Sequence, residues 1–536
     1  GGLALSPRPS FGTPGSRVIG VLAACAAAVV LLPLSGVLAA AFGEGAARIP
    51  LSDVLRYAAT TAILALGVGA FTGVAGAVAA WLVVMHRFPG RSVFSWALAL
   101  PLAMPAFAVA YGYADLLDVA GPLRSAIRDL TGQDLPFEIR SPGGAVFVLS
   151  AAFYPYVFLA MRAAFLNLPG SALDAARMLG LRSAAAFFKV ALPLTRPALG
   201  AGVALAVMET LADYGAVYFL SVQTLTTGVV RAWSVYGSTV SAARFALPLL
   251  AAAAVLLWIE RAGRRGRTHE TGKTRWRSPE PVPLDRGPGL AAAAFCLFLL
   301  CAGLLVPAGW LLAHLGAQSP DWSRLAIAAR NSLGLAIAGA LVTVGLATLL
   351  ALGSERRPRL VRLASLGYAT PGAVMAIGLL APAGVIWSLF PGSGTALALV
   401  LLILAYAARL MASALEPIDA GLTRIRPSLP QAARTLGRSE VASALSIRLP
   451  LAGGSLLTAG LIVLVDILKE LPATLILRPF NFDTLAVIAN NYALDERLGQ
   501  AGAPSLMILF LSVPAVIWLT GRIASAAPPA GREGLS

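Results

Sequence analysis

Charged residues are scarce in this 536-residue chain, where Asp, Glu, Lys and Arg together make up 12%. A soluble globular domain carries roughly 25%. A larger core cannot absorb the deficit, because single cores stop growing near about 250–300 residues. The remaining surface must be apolar, so the solvent it faces is lipid. A cytosolic enzyme, a nucleic-acid-binding domain and a secreted disulfide scaffold are all excluded. Cysteine is scarcer still. Cys25, Cys296 and Cys301 lie inside apolar runs without a C-x-x-C, which leaves neither a disulfide framework nor a zinc site. The three histidines, His86, His269 and His314, are too scattered for a His-rich metal site. Acids are few beside bases, 25 against 41, giving a net charge of +16. In a soluble protein that excess would suggest nucleic acid. Between apolar runs it reads as topology, since cytoplasmic loops collect Lys and Arg.

What the chain has in abundance is hydrophobic length, 58% of its residues, with a mean hydropathy of +0.79. Crossing a bilayer takes about 20 apolar residues. Twelve runs qualify: 17–41, 57–85, 93–119, 145–166, 194–220, 243–260, 289–315, 330–353, 360–390, 395–416, 451–477 and 503–521. The first is too long for a signal-peptide core and is expected to remain as a helix. Alternating hydrophobicity is absent, so a β-barrel is not supported. The expected fold is an all-α membrane protein of about twelve transmembrane helices.

Placing the N-terminus in the cytoplasm puts most of the basic residues there. These include Arg87 and Arg91, the cluster Arg356, Arg357, Arg359 and Arg362, and the linker 261–288 with Arg264, Arg265, Arg267, Lys273, Arg275 and Arg277. An even number of spans returns the C-terminus to the same side. The linker separates a first half, 1–260, from a second, 289–536. It holds a near match to a phosphate-binding loop, Gly266 followed by Gly272-Lys273-Thr274. The spacing is one residue too long, and both neighbours are membrane spans instead of the preceding strand and following helix that the motif needs. ATP hydrolysis is therefore not expected in this chain.

The strongest feature is a duplication. Asp174-Ala175-Ala176, three residues, Gly180, nine residues and Val190-Ala191-Leu192-Pro193 recur as Gln431-Ala432-Ala433, three, Gly437, nine and Ile447-Arg448-Leu449-Pro450, an offset of 257 positions. At the same offset Glu209 falls on Asp466 and Asp213 on Glu470. The segment reads as a short cytoplasmic helix, a turn at the glycine, and a second helix that meets the Leu-Pro pair. It is small-residue-rich and carries Arg177 and Arg182 in one copy, Arg434 and Arg438 in the other. Nothing in it performs catalysis. It is a docking element presented twice.

This pattern resembles the EAA loop of ABC importer permeases, Glu-Ala-Ala, three residues, Gly, nine residues, Ile-x-Leu-Pro. The resemblance covers both six-helix halves, with loops at 168–193 and 425–450, and implies a pseudo-symmetric fused permease. It implies that Asp174, Ala175, Ala176, Arg177 and Gly180, with Gln431, Ala432, Ala433, Arg434 and Gly437, couple the chain to two copies of a cytoplasmic ATPase. That ATPase would hold the ATP and Mg²⁺, this chain binding no cofactor. The family pattern has Glu where this chain has Asp174 and Gln431, so a charged contact is expected from the first copy only. The resemblance further implies an extracytoplasmic substrate-binding protein as partner, with loops 120–144, 221–242 and 478–502 as its contacts, and a bacterial inner-membrane location. Met208–Gly215, Lys469–Thr474 and Arg478–Leu485 are similar to ferric-iron importer permeases. Fused permeases for thiamine, and related ones for polyamines or sulfate, share the plan.

Within the fifth helix of each half, Glu209 and Asp213, and Asp466 and Glu470, stand one turn apart. A carboxylate at mid-bilayer costs about 2.5–3.5 kcal/mol on insertion scales. Two readings follow. The four acids line a translocation path suited to a hard cation, or they are structural pairs, Lys469 serving Asp466 and Glu470. No firm metal ligand set is assigned. Gly69-x-x-x-Gly73 reads as helix packing, Pro101, Pro105 and Pro371 as helix kinks, and Trp81, Trp96, Trp258, Trp310 and Trp387 as interface anchors. A major-facilitator transporter is the main rival. Its usual Gly/Asp/Arg loop is here His86-Arg87-Phe88-Pro89-Gly90-Arg91, without the acid, and it does not explain two loops of identical spacing. An intramembrane enzyme would need a catalytic motif that is not found.

Overall fold

In hydrocarbon every backbone N–H and C=O must find its partner within the chain, so the apolar runs fold as helices. A computed structural model describes residues 14–45, 50–134, 136–168, 170–180, 183–264, 280–315, 319–353, 370–390, 392 and 394–525. Ten of its helices are long and apolar enough to cross a membrane. Two further spans are bent pairs, Arg91–Ala103 with Ala106–Thr131 at 92°, and Glu440–Leu451 with Gly453–Leu468 at 72°. Counted as spans, these make twelve, and the all-α membrane fold stands. The only strand pairing among the described residues is a two-residue parallel ladder, His86–Arg87 beside Val282–Pro283. The linker's near phosphate-loop and most of its bases, Arg182, His269, the cluster Arg356–Arg362 and the start of the run 360–390 lie outside the described residues, as do the side chains of Arg177 and Arg264.

Pro101 and Pro105 lie at the 92° bend between Arg91–Ala103 and Ala106–Thr131, the kink expected there. Pro101 sits in a 3-10 turn, Leu100–Ala103, and Pro105 directly precedes the helix Ala106–Leu117. Met104 between them is extended, φ −94° and ψ 129°, as the residue before a proline prefers. Pro371 likewise directly precedes Gly372–Leu389. Pro105 and Pro371 thus directly precede helices, where a missing N–H costs nothing. Trp81 departs from expectation. It is buried against Phe165 and Phe187, whereas Trp258 and Trp387 are exposed. Gly69 and Gly73 do pack: a Cβ there would stand 3.1 Å and 3.2 Å from Val207 and Val203 of the helix Leu192–Ala212.

The two copies of the repeat exchange their first helices. Pro14–Ala41 lies against Gly372–Leu389, so closely that a Cβ on Gly36 would fall on the carbonyl of Gly378, and one on Gly378 on that of Pro33. In return, Arg286–His314 lies against the N-terminal copy. Tyr113 donates its hydroxyl to the Ala302 carbonyl at 2.8 Å, and Trp310 Nε1 donates to Asp115 Oδ2 at 2.7 Å. The core is continuous across both copies.

Candidate docking loops and a charged junction

Each repeated segment folds as a short helix, a glycine turn, and a helix with a π-turn. In the C-terminal copy Ser428–Thr435 ends in a Schellman arrangement, with Arg438 N donating to Ala433 O at 3.0 Å and Gly437 N to Arg434 O at 3.0 Å. Gly437 takes φ 81° and Gly180 φ 75°, where a side chain would be strained. The π-turns, Phe187–Ala191 and Ala444–Arg448, obey the sequence offset of 257 to the residue. Their cause is the Leu-Pro pair. Pro193 and Pro450 have no N–H for the carbonyl four residues back and crowd it. The preceding Leu192 and Leu449 instead donate five residues back, to Phe187 and Ala444.

At these loops Asp174, Ala175, Gln431 and Ala432 are exposed, while Ala176 and Ala433 pack inward. Arg434 reaches Glu440 at 3.7 Å. The sequence reading missed the most prominent residues: Leu179 is 81% exposed and its repeat partner Leu436 is 82% exposed, with Met178 beside the first. Two matched apolar knobs therefore stand one residue before the glycine turns.

The acids gather where the copies meet. Glu209 and Asp466 are helical, but Asp213 and Glu470 are not, which corrects the single-helix placement. The helix Leu192–Ala212 stops before Asp213, and Gly453–Leu468 stops two residues before Glu470. Each acid then caps a new short helix. Asp213 Oδ1 accepts the N–H groups of Ala216 and Val217 at 3.1 Å, and Glu470 Oε1 accepts that of Ala473 at 3.2 Å. These caps satisfy orphan donors at the start of Gly215–Phe219 and Pro472–Leu477.

Lys469 Nζ pairs with Asp466 Oδ1 at 3.0 Å and also reaches the Leu102 carbonyl at 3.4 Å. Arg409, on the helix Gly394–Thr423, was not singled out from the sequence. Its Nη2 lies 3.4 Å from Glu209 Oε2 of the N-terminal copy, and its Nη1 pairs with Glu470 Oε2 of the C-terminal copy. The group is largely withdrawn from solvent, with Glu470 4% exposed. Among the described residues, no group of three or more His, Cys, Asp or Glu is arranged to hold a metal ion.

Two spaces meet at this cluster. A cavity of about 60 Å³ lies among Pro101, Pro105, Tyr214, Leu471 and the four acids. A larger one of about 700 Å³ starts at Glu209, Asp466 and Lys469 and extends to Glu416, Arg424 and Arg522, toward the docking-loop helix Ser428–Thr435. The space around the charges is thus wide on the loop side and narrow beyond them. On the far side, the expected contact loops 221–242 and 478–502 are mostly buried helices, Leu225–Ser234 and Leu485–Leu494. Each is anchored by a hydroxyl that accepts its first N–H, Thr61 for Leu225 and Ser332 for Leu485, both at 2.9 Å. Val235, Tyr236 and Phe480 stay exposed there.

A scan against models of protein families finds no match. Among curated proteins the chain is similar to the Fe(3+)-transport system permease protein FbpB 2 of Haemophilus influenzae, at 25% identity over 451 residues, 82% of this chain and 84% of that protein. It is 30% identical to the molybdenum transport system permease protein ModB of Escherichia coli over 200 residues, 34% of this chain and 86% of that protein. The sulfate transport system permease protein CysT of Salmonella typhimurium matches at 32% over 165 residues, 30% of this chain and 57% of that protein. A loop repeated twice on a twelve-span bundle and these likenesses agree: the chain belongs to the membrane permeases of ABC transport systems.

Proposed function

We propose that this chain is a fused importer permease, residues 1–260 and 289–536 being its two halves, joined by the linker 261–288. The molybdenum permease, 86% of which aligns within 34% of this chain, supports a double module. Two copies of a cytoplasmic ATPase dock on 168–193 and 425–450, through Asp174, Ala175, Ala176, Arg177, Gly180, Gln431, Ala432, Ala433, Arg434 and Gly437. Leu179 and Leu436 fill apolar pockets on those partners. Both termini lie in the cytoplasm, and an extracytoplasmic binding protein delivers cargo to the opposite face. The chain supplies no covalent chemistry; closure of the ATPases moves the loops and switches access to the junction.

The cargo is a hard cation, with ferric iron the best candidate. The observation that carries this reading is the charge balance at the junction: four carboxyl groups, Glu209, Asp213, Asp466 and Glu470, face two cations, Arg409 and Lys469. The likeness to a ferric-iron permease over 82% of the chain supports it. A second reading, an oxyanion, draws on Arg409, Lys469 and the sulfate and molybdenum relatives, but the acid excess repels anions. Reconstitution in proteoliposomes with the cognate ATPase and binding protein, offering radiolabelled ferric iron against sulfate, molybdate, thiamine and polyamine, tests it. ATP-dependent uptake of iron is expected. Uptake of an organic solute or oxyanion alone would refute it.

A further inference from the structure

The acids at the junction are duplicated by the repeat, but the cations are not. Glu209 and Asp213 fall on Asp466 and Glu470, whereas Lys469 falls on Ala212. Lys469 pairs with the carboxylate of its own copy, Asp466 one turn away, and meets the other copy only at the Leu102 carbonyl. Arg409 is different. Among the described residues it is the one that joins a carboxylate of each copy, Glu209 on one side and Glu470 on the other. It does so at the boundary between the pinched cavity and the wide one, both of which Glu209 lines.

A guanidinium in this position does what a cargo cation passing the same point would have to do. It compensates two carboxylates from opposite walls, with two donors on one rigid fork. While it is there, the walls are held together and the acids are not available to another cation. We propose that Arg409 is a tethered stand-in for the cargo, a specificity-determining latch that a cation of higher charge displaces from Glu209 and Glu470 as it crosses. The proposal rests on the cation-importer reading above and deepens it. The latch selects by charge. A monovalent solute cannot outcompete a fixed guanidinium already seated between two carboxylates, whereas a trivalent ion gains about three times the attraction at the same distance. Release also differs between the walls. The Glu470 side chain keeps its Ala473 contact when the arginine leaves, while Glu209, with no backbone donor of its own among the described contacts, is free to turn toward the wide cavity.

The test uses the purified full chain in lipid nanodiscs and terbium(III) as the trivalent probe, read by luminescence sensitised from Tyr214 beside the cluster. Arg409→Gln is expected to bind terbium at least tenfold more tightly than the unmodified chain. Glu209→Gln in that background should reverse the gain. Arg409→Lys, which keeps the charge but loses the fork, should give a gain of a few fold. No gain in a monodisperse Arg409→Gln sample, or a gain indifferent to Glu209→Gln, overturns the latch. If Arg409→Gln does not stay folded, Arg409→Lys carries the test, and an unchanged terbium affinity there overturns the latch equally. The cargo reading fails separately, when the unmodified chain reconstituted with its ATPase and binding protein imports no ferric iron whatever the terbium result.

Discussion

Glu470 Oε1 accepts the backbone N–H of Ala473 at 3.2 Å, and so one side chain both closes a broken membrane helix and lines a charged cavity. Asp213 repeats the arrangement 257 positions earlier, with Ala216 and Val217 as donors. In both copies, the acid has a structural duty that its charge alone does not describe.

Capping and charge can be separated at Asp213. Asn keeps an acceptor for Ala216 and Val217, whereas Ala leaves their N–H groups without it. Asp213→Ala should therefore lose about 0.5–2 kcal/mol of stability, and Asp213→Asn much less, as judged by thermal unfolding in detergent. Equal losses in the two variants would mean that the charge, not the cap, holds this break together.

The apolar knobs at the docking loops give a cleaner separation of folding from coupling. Leu179 and Leu436 are 81% and 82% exposed, so Asp at either position should change the unfolding temperature little, as surface substitutions generally shift stability within about 0.5 kcal/mol. Binding of the ATPase, measured by co-purification or biolayer interferometry, should weaken at least tenfold for Leu179→Asp with Leu436→Asp. Undiminished binding would remove these leucines from the interface.

Helix exchange predicts where overpacking hurts. Gly36 and Gly378 stand backbone to backbone, and any side chain on one meets a carbonyl of the other helix. Gly36→Val should cost about 1–3 kcal/mol and lower the yield of folded chain in membranes. Gly200, where an added Cβ would meet no neighbouring element within 4 Å, provides the control, since Gly200→Ala should be tolerated.

The π-turns have a chemical cause that can be removed. Pro193→Ala restores an N–H for the carbonyl of Lys189 and lets the α-helical ladder close through Phe187–Ala191. Amide exchange across 188–193 should slow about fivefold, the effect of one added hydrogen bond of about 1 kcal/mol. Exchange unchanged or faster would show that the π-turn is imposed by packing rather than by proline.

Much of the architecture was legible because membrane helices are written in run length, and the docking loops because their spacing recurs without drift. The breaks at Asp213 and Glu470 were hidden, since Ala212-Asp213-Tyr214 and Leu468-Lys469-Glu470 sit within runs that continue apolar on both sides. Only the geometry shows that a carboxylate replaces a turn of backbone bonding there. Arg409 left a readable signal, a lone charge in the apolar run Leu401–Leu415, where insertion is costly; its two partners could not be read from one helix. The exposure of Leu179 and Leu436 is a tertiary property with no local signature. Nor does an apolar helix surface name its neighbour, so the exchange of first helices was not visible in sequence.

That exchange has a consequence for biosynthesis. The contact surface for Pro14–Ala41 includes Gly378, which the ribosome reaches only after some 340 further residues. At about 5–20 residues per second, the first helix waits roughly 15–70 s in the membrane before its partner is made. Throughout that interval its contact face is covered by lipid or by the insertion machinery, whereas the helix that the N-terminal copy receives in return, Arg286–His314, follows soon after that copy has been made.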